Sequence, residues 1–138
     1  MENKNCEARY KKGMNVLKQI NNNAIEDLFN ELEDVTAELG KFVVEFPYSE
    51  IYTREGLDLK TRELATVAAL TSMGNAKSQL QNHINAALNV DNSPSEIIEV
   101  IMQMSAYAGF PASIKGIMAA KKYLKKRITS YKTKIKNN

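Results

Sequence analysis

Apolar side chains recur along this chain at spacings of three and four, and no stretch shows the two-residue alternation of a strand. The clearest run covers about 24–46. There Ile25, Leu28, Phe29, Leu32, Val35, Leu39, Phe42, Val43 and Phe46 mark one helical face, with Gly40 as the point where the helix should bend or break. Upstream, Tyr10, Met14, Leu17 and Ile20 predict a first helix over about 5–20, ended by Asn21-Asn22-Asn23. Residues 46–58, FPYSEIYTREGLD, hold aromatics and turn formers without long periodicity and read as an ordered connection.

Asp58 is placed to cap a third helix reaching about Met73. That helix is apolar over much of its circumference, which predicts a central, buried position. Gly74-Asn75 ends it, and a fourth helix follows over about 76–89 with Leu80, Ile84, Ala87 and Leu88 inward. Ser93-Pro94-Ser95-Glu96 combines a cap, a proline at the first helical position and a capping-box glutamate. The fifth helix it opens carries Ile97, Val100, Ile101, Met104 and Ala108. Gly109-Phe110-Pro111 breaks it, and Pro111 opens a sixth through Ile114, Ile117 and Met118 into the tail. The pattern predicts an all-α protein of five or six helices in a single domain over residues 1–138.

Composition narrows the classes. Hydrophobic residues are 43% and charged residues 25% of the chain, ordinary for a soluble globular protein. No apolar run has the length of a membrane span, and the polar start MENKNCEARYKKG lacks the stretch of a secretory signal, so a cytoplasmic protein without a membrane partner is expected. Cys6 is the only cysteine and His83 the only histidine, which excludes a structural zinc site; no metal ligand set and no cofactor motif is evident. The net charge of +3 hides an asymmetry: residues 121–138 hold eight of the 19 basic residues and no acid, leaving a net charge of −5 on the rest. The tail, which holds Tyr123 and Tyr131, reads as a solvated helix end, not a nucleic-acid surface, because no recognition motif accompanies it.

Three stretches stand in a telling order. They are Arg54-Glu55-Gly56-Leu57-Asp58 with Thr61-Arg62-Glu63-Leu64, then Gln79-Leu80 with His83-Ile84 and Ala87-Leu88-Asn89, then Glu96-Ile97 leading to Tyr107-Ala108-Gly109-Phe110-Pro111-Ala112. With Arg9-Tyr10-Lys11-Lys12-Gly13 included, the chain resembles the carboxymuconolactone decarboxylase family over about residues 8–125. The resemblance implies an alkylhydroperoxidase-like helical bundle and a homo-oligomer, a hexamer built as a trimer of dimers. One branch of the family places a Cys-x-x-Cys four residues before a histidine, with a glutamate on the preceding helix. Here Ala76 and Gln79 stand at the thiol positions, while His83 and Glu63 remain. Neither alanine nor glutamine can replace a thiolate nucleophile, so peroxidase activity is not expected.

The other branch resembles gamma-carboxymuconolactone decarboxylase, which implies a cofactor-free carboxy-lyase acting on a small carboxylated unsaturated lactone or a related anion. Two alternatives stay open: a peroxidase-related member, and a non-catalytic oligomeric binding protein that kept the fold. Within this reading His83, which helical spacing puts on or beside the inward face, is the proton donor or oxyanion partner. Its replacement by alanine is expected to stop turnover and spare the fold. Glu63, in a mostly apolar helix, needs a partner, which could be His83, an arginine or a helix N-terminus. Gln79, one turn before His83, could orient the imidazole or touch substrate. Arg54 and Arg62 are candidates to grip substrate carboxylates, and Tyr107 to place a hydroxyl near a pocket.

Overall fold

The computed structural model describes residues 2–136, with side chains over residues 4–127. The chain divides into two compact units, Met1–Arg62 and Glu63–Asn138. Among the described residues every regular element is helical, so the protein is all-α as the periodicity predicts. No helix among them is long and apolar enough to cross a membrane.

The first unit is built from α1 (Glu2–Ile20), α2 (Asn22–Leu32), α3 (Ala37–Val43) and a π-helical segment, Val44–Ile51. Val16, Leu17 and Ile20 of α1 are buried, as are Ile25 of α2 and Val44. Gly13 lets α1 approach the π segment closely: a Cβ there would overlap the Val44 carbonyl oxygen. Arg9 and Glu50 pair at 3.1 Å across the same two elements.

Two expectations are corrected here. The helix expected over about 24–46 is interrupted at Glu33–Thr36, where the amides of Val35 and Thr36 both donate to the Leu32 carbonyl. Gly40 is not the break. It lies buried inside α3 because the Phe29 ring packs there, 2.7 Å from where a Cβ would stand. The stretch 46–58 is not wholly a connection either, since its first residues belong to the π segment. Pro47 has no amide proton to donate, and the widened turn tolerates it; the Tyr52 amide donates to the Pro47 carbonyl five residues back, at 2.8 Å.

The second unit contains most of α4 (Leu59–Met73), then α5 (Lys77–Asn89), α6 (Pro94–Gln103), the short α7 (Ser105–Ala108) and α8 (Phe110–Lys136). Its core joins Val67, Leu80, Ile84, Ala87, Ile97, Ile101, Ala119, Ala120 and Leu124. The small residues Gly116, Ala119 and Ala120 let α8 lie close: a Cβ at Gly116 would come within 2.8 Å of Ile101 and 2.9 Å of Thr71. The Ser113 hydroxyl ties α8 to α6 by donating to the Ile101 carbonyl at 2.9 Å.

Local signals at the helix starts are realised. Asp58 Oδ1 accepts from the Thr61 amide at 2.8 Å. Ser93 and Glu96 form both bonds of the capping box. The fifth helix is split at Met104 into α6 and α7, and α8 begins at Phe110, one residue before the expected proline. α4 is buried along one side only: Glu63, Val67 and Thr71 are inside, while Ala65 and Ala69 are exposed. An all-round apolar helix can thus be an alanine-rich one. α8 carries on through the basic tail to Lys136, and Tyr131 lies outside the residues with described side chains.

Candidate functional site

Gly74, at φ 70°, turns the chain between α4 and α5. The return brings Glu63 of α4 beside His83 in the middle of α5. There Glu63 Oε2 lies 2.8 Å from His83 Nδ1. The Glu63 side chain is fully buried, at 0% exposure, whereas the His83 side chain keeps 19%. Of the partners that sequence allows Glu63, the histidine is the one this unit provides. With Glu63 ionised the carboxylate can only accept, so Nδ1 carries the proton and Nε2 is the ring nitrogen left for a bound molecule. Glu63 Oε1 is buried without a hydrogen-bond partner among the described residues. A carboxylate held this way fixes the tautomer and plane of the imidazole, the job a positioning residue does beside a proton-transferring histidine.

The other sequence candidates are placed differently. Gln79 is exposed on α5, and its side-chain oxygen accepts from the Ser78 hydroxyl at 3.1 Å. The described bond to the imidazole is with Glu63, not with Gln79. Tyr107 is 80% exposed on α7. Arg54 and Arg62 belong to the first unit. Arg54 is exposed, and Arg62 spends its guanidinium on the turn ahead of α4, donating to the Leu57 carbonyl at 3.2 Å and the Arg54 carbonyl at 3.0 Å. Asp58, at the end of that turn, has its carboxyl held below the usual carboxylate range by the hydrogen bonds from the Thr61 hydroxyl and amide. Among the described residues no three histidine, cysteine or acidic side chains gather as metal ligands would.

Sequence reasoning passed over a cavity of about 400 Å³ in the second unit, walled by the end of α4, the start of α5 and the first turns of α8. Leu70, Thr71, Lys77, Leu80, Lys115 and Met118 contribute to its lining. Two lysines 38 positions apart give no joint signal in a sequence.

The class the fold and the site define is a small all-α protein whose second unit buries a carboxylate against a part-exposed imidazole. Residues 37–122 match the carboxymuconolactone decarboxylase family, and the chain belongs to it. The 4-carboxymuconolactone decarboxylase of Acinetobacter baylyi is 31% identical over 122 residues, 88% of this chain and 90% of that protein. An uncharacterized 15.0 kDa protein from the nqo9-nqo10 intergenic region of Paracoccus denitrificans is 39% identical over 79 residues, 56% of this chain and 59% of that protein.

Proposed function

We propose that the chain is a cofactor-free decarboxylase acting on a small carboxylated unsaturated lactone or a closely related anion. The observation that carries this reading is the Glu63–His83 pair, 2.8 Å apart, in a chain similar over most of its length to a protein named for that activity. In such a substrate the bond to the carboxylate breaks heterolytically and carbon dioxide leaves. The electron pair moves through the ring double bond to the lactone carbonyl oxygen, giving a dienolate. The substrate is its own electron sink, so the protein need supply only charge stabilisation and one proton to carbon. In this scheme the doubly protonated His83 gives that proton from Nε2, and Glu63 stays on Nδ1 throughout, so the ring keeps its orientation while its charge changes.

Thiol chemistry has no support beyond family breadth, because Ala76 and Gln79 hold no sulfur and Cys6 is the only cysteine. The test is carbon dioxide release from gamma-carboxymuconolactone by the purified chain. His83→Gln should slow release by about 10²–10⁴-fold, the usual worth of a general acid. Alkylation of Cys6 should leave the rate unchanged. A wild-type chain that releases nothing, or a His83→Gln rate within about threefold of wild type, overturns the proposal.

A further inference from the structure

We propose that the cavity between α4, α5 and α8 is a second binding site, separate from the Glu63–His83 pair, for a small anion with an apolar body, such as a medium-chain carboxylate. The inference does not depend on the decarboxylase reading. Neither Glu63 nor His83 is among the cavity's lining residues, and on α4 the lining begins at Leu70, about 10 Å along the axis from Glu63; on α5 it reaches Leu80, one turn before His83, so the His83→Gln variant tests the separation.

Three features of the lining point to that ligand chemistry. The first is charge. Lys77 and Lys115 reach the cavity from α5 and α8, and neither is in an ion pair among the described residues. The second is the start of α5. Ala76, which also lines the cavity, caps this helix of 13 residues with no side-chain hydrogen bond, so its first amides are open to an anion. The third is Thr71, at 1% exposure, whose hydroxyl has no hydrogen-bond partner among the described residues. A helical threonine or serine ordinarily bonds the carbonyl one turn back, as Ser72 does to Ala68 at 2.9 Å. Thr71 forgoes that bond in the cavity wall, and a buried hydroxyl left this way is costly unless something completes it. Apart from Asn75, the rest of the lining, with Leu70, Leu80, Ile114 and Met118, has apolar side chains or none and suits a hydrocarbon body.

Octanoate and 1-octanol, titrated calorimetrically into the full chain, test this. Octanoate should saturate at one site per chain and octanol should bind at least about tenfold more weakly, the value of one charge-assisted contact. Lys77→Gln with Lys115→Gln should weaken octanoate about tenfold, and either single change remains as a check if the pair misfolds. Thr71→Val should weaken it about threefold while leaving the melting temperature unchanged or raised, because the unpaired hydroxyl becomes a methyl group of similar shape. His83→Gln should leave octanoate binding unaltered, which separates this site from the other. Absence of saturable binding up to about 10 mM, the weak end of the affinity scale, overturns the proposal. So does octanol binding as tightly as octanoate, or loss of octanoate binding in His83→Gln.

Discussion

Glu63 is fully buried and spends one oxygen on His83 at 2.8 Å, while its other oxygen has no partner among the described residues, so the stability of this carboxylate rests on the imidazole. That relationship revises the expectation that His83→Ala would spare the fold. Alanine would leave Glu63 buried with both oxygens unsatisfied, at a cost of about 1–3 kcal/mol. His83→Gln keeps a donor near Glu63 and should lose less. Adding Glu63→Gln to His83→Ala should recover part of the loss, because a neutral amide is cheaper to bury than a carboxylate. Urea denaturation of the four proteins measures this. Equal stability of His83→Ala and the double variant would mean that Glu63 has another way to be satisfied.

The close approach of α1 to the π segment predicts an asymmetry between two glycines. Gly13→Ala would push a methyl group into the Val44 backbone, which cannot rotate away, and should destabilise by about 1–3 kcal/mol. Gly40→Ala meets only the edge of the Phe29 ring, a side chain that can turn, and should cost less. Thermal melts of the two variants decide it, and Gly40→Ala being the more damaging would refute the packing described for this unit.

What could be read from the sequence was local. The caps at Asp58 and Ser93 depend on residues three positions away, so their bonds follow from spacing alone. The apolar periods located the helices because burial imposes them. What could not be read depends on distant partners. Gly40 looked like a helix breaker until the Phe29 ring gave it a packing reason. Residues 46–58 read as a connection throughout because a π turn is too rare to be inferred from a short aromatic stretch holding one proline. The pairing of Glu63 with His83 spans 20 positions, and sequence could name the histidine only as one of three kinds of partner, beside an arginine or a helix N-terminus. The cavity is a void among three helices, and no residue pattern announces a void.

Asp58 yields a prediction about acid. Its carboxyl is held below the usual carboxylate range by Thr61, so the folded value is depressed relative to the unfolded one. The stabilisation is therefore fully present above the ordinary carboxylate range and is lost as pH falls through the folded value. Asp58→Asn keeps an acceptor for the Thr61 amide but cannot ionise. Wild type should exceed Asp58→Asn in melting temperature at pH 7, and the gap should shrink as the pH is lowered into the acid range. A gap that stays constant with pH would show that the ionised form has no special part in the cap.

Removal of the chain after Lys126 should leave the fold in place. Leu124 is the last described buried apolar residue of α8, and Lys125 to Arg127 are exposed. The described bond lost is Arg127 to Asn89 at 3.2 Å, an exposed contact worth about 1 kcal/mol or less. Side chains from residue 128 onward lie outside the described residues. Circular dichroism melts and light scattering compare the truncated and full chains, and loss of helicity or of assembly would assign the tail a structural role.

The last prediction concerns assembly. Val35, Leu39, Phe42 and Phe46 fall at spacings of four, three and four, and sequence alone makes them a core face. In the single chain they are exposed, with Phe42 and Phe46 each at 60%. Soluble monomers rarely leave a row of large apolar side chains in water, and such a row is commonly covered by another copy of the chain. We propose that copies of this chain cover it, in keeping with the hexamer implied by the family resemblance. Light scattering at micromolar concentration should then report several copies per particle. Phe42→Glu combined with Phe46→Glu should shift the particle toward smaller species, because burying two carboxylates at a contact without partners is costly. Helicity should change little, since glutamate favours helix more than phenylalanine does. Wild type running as a monomer refutes the assembly, and an intact oligomer in the double variant moves the interface away from this stripe.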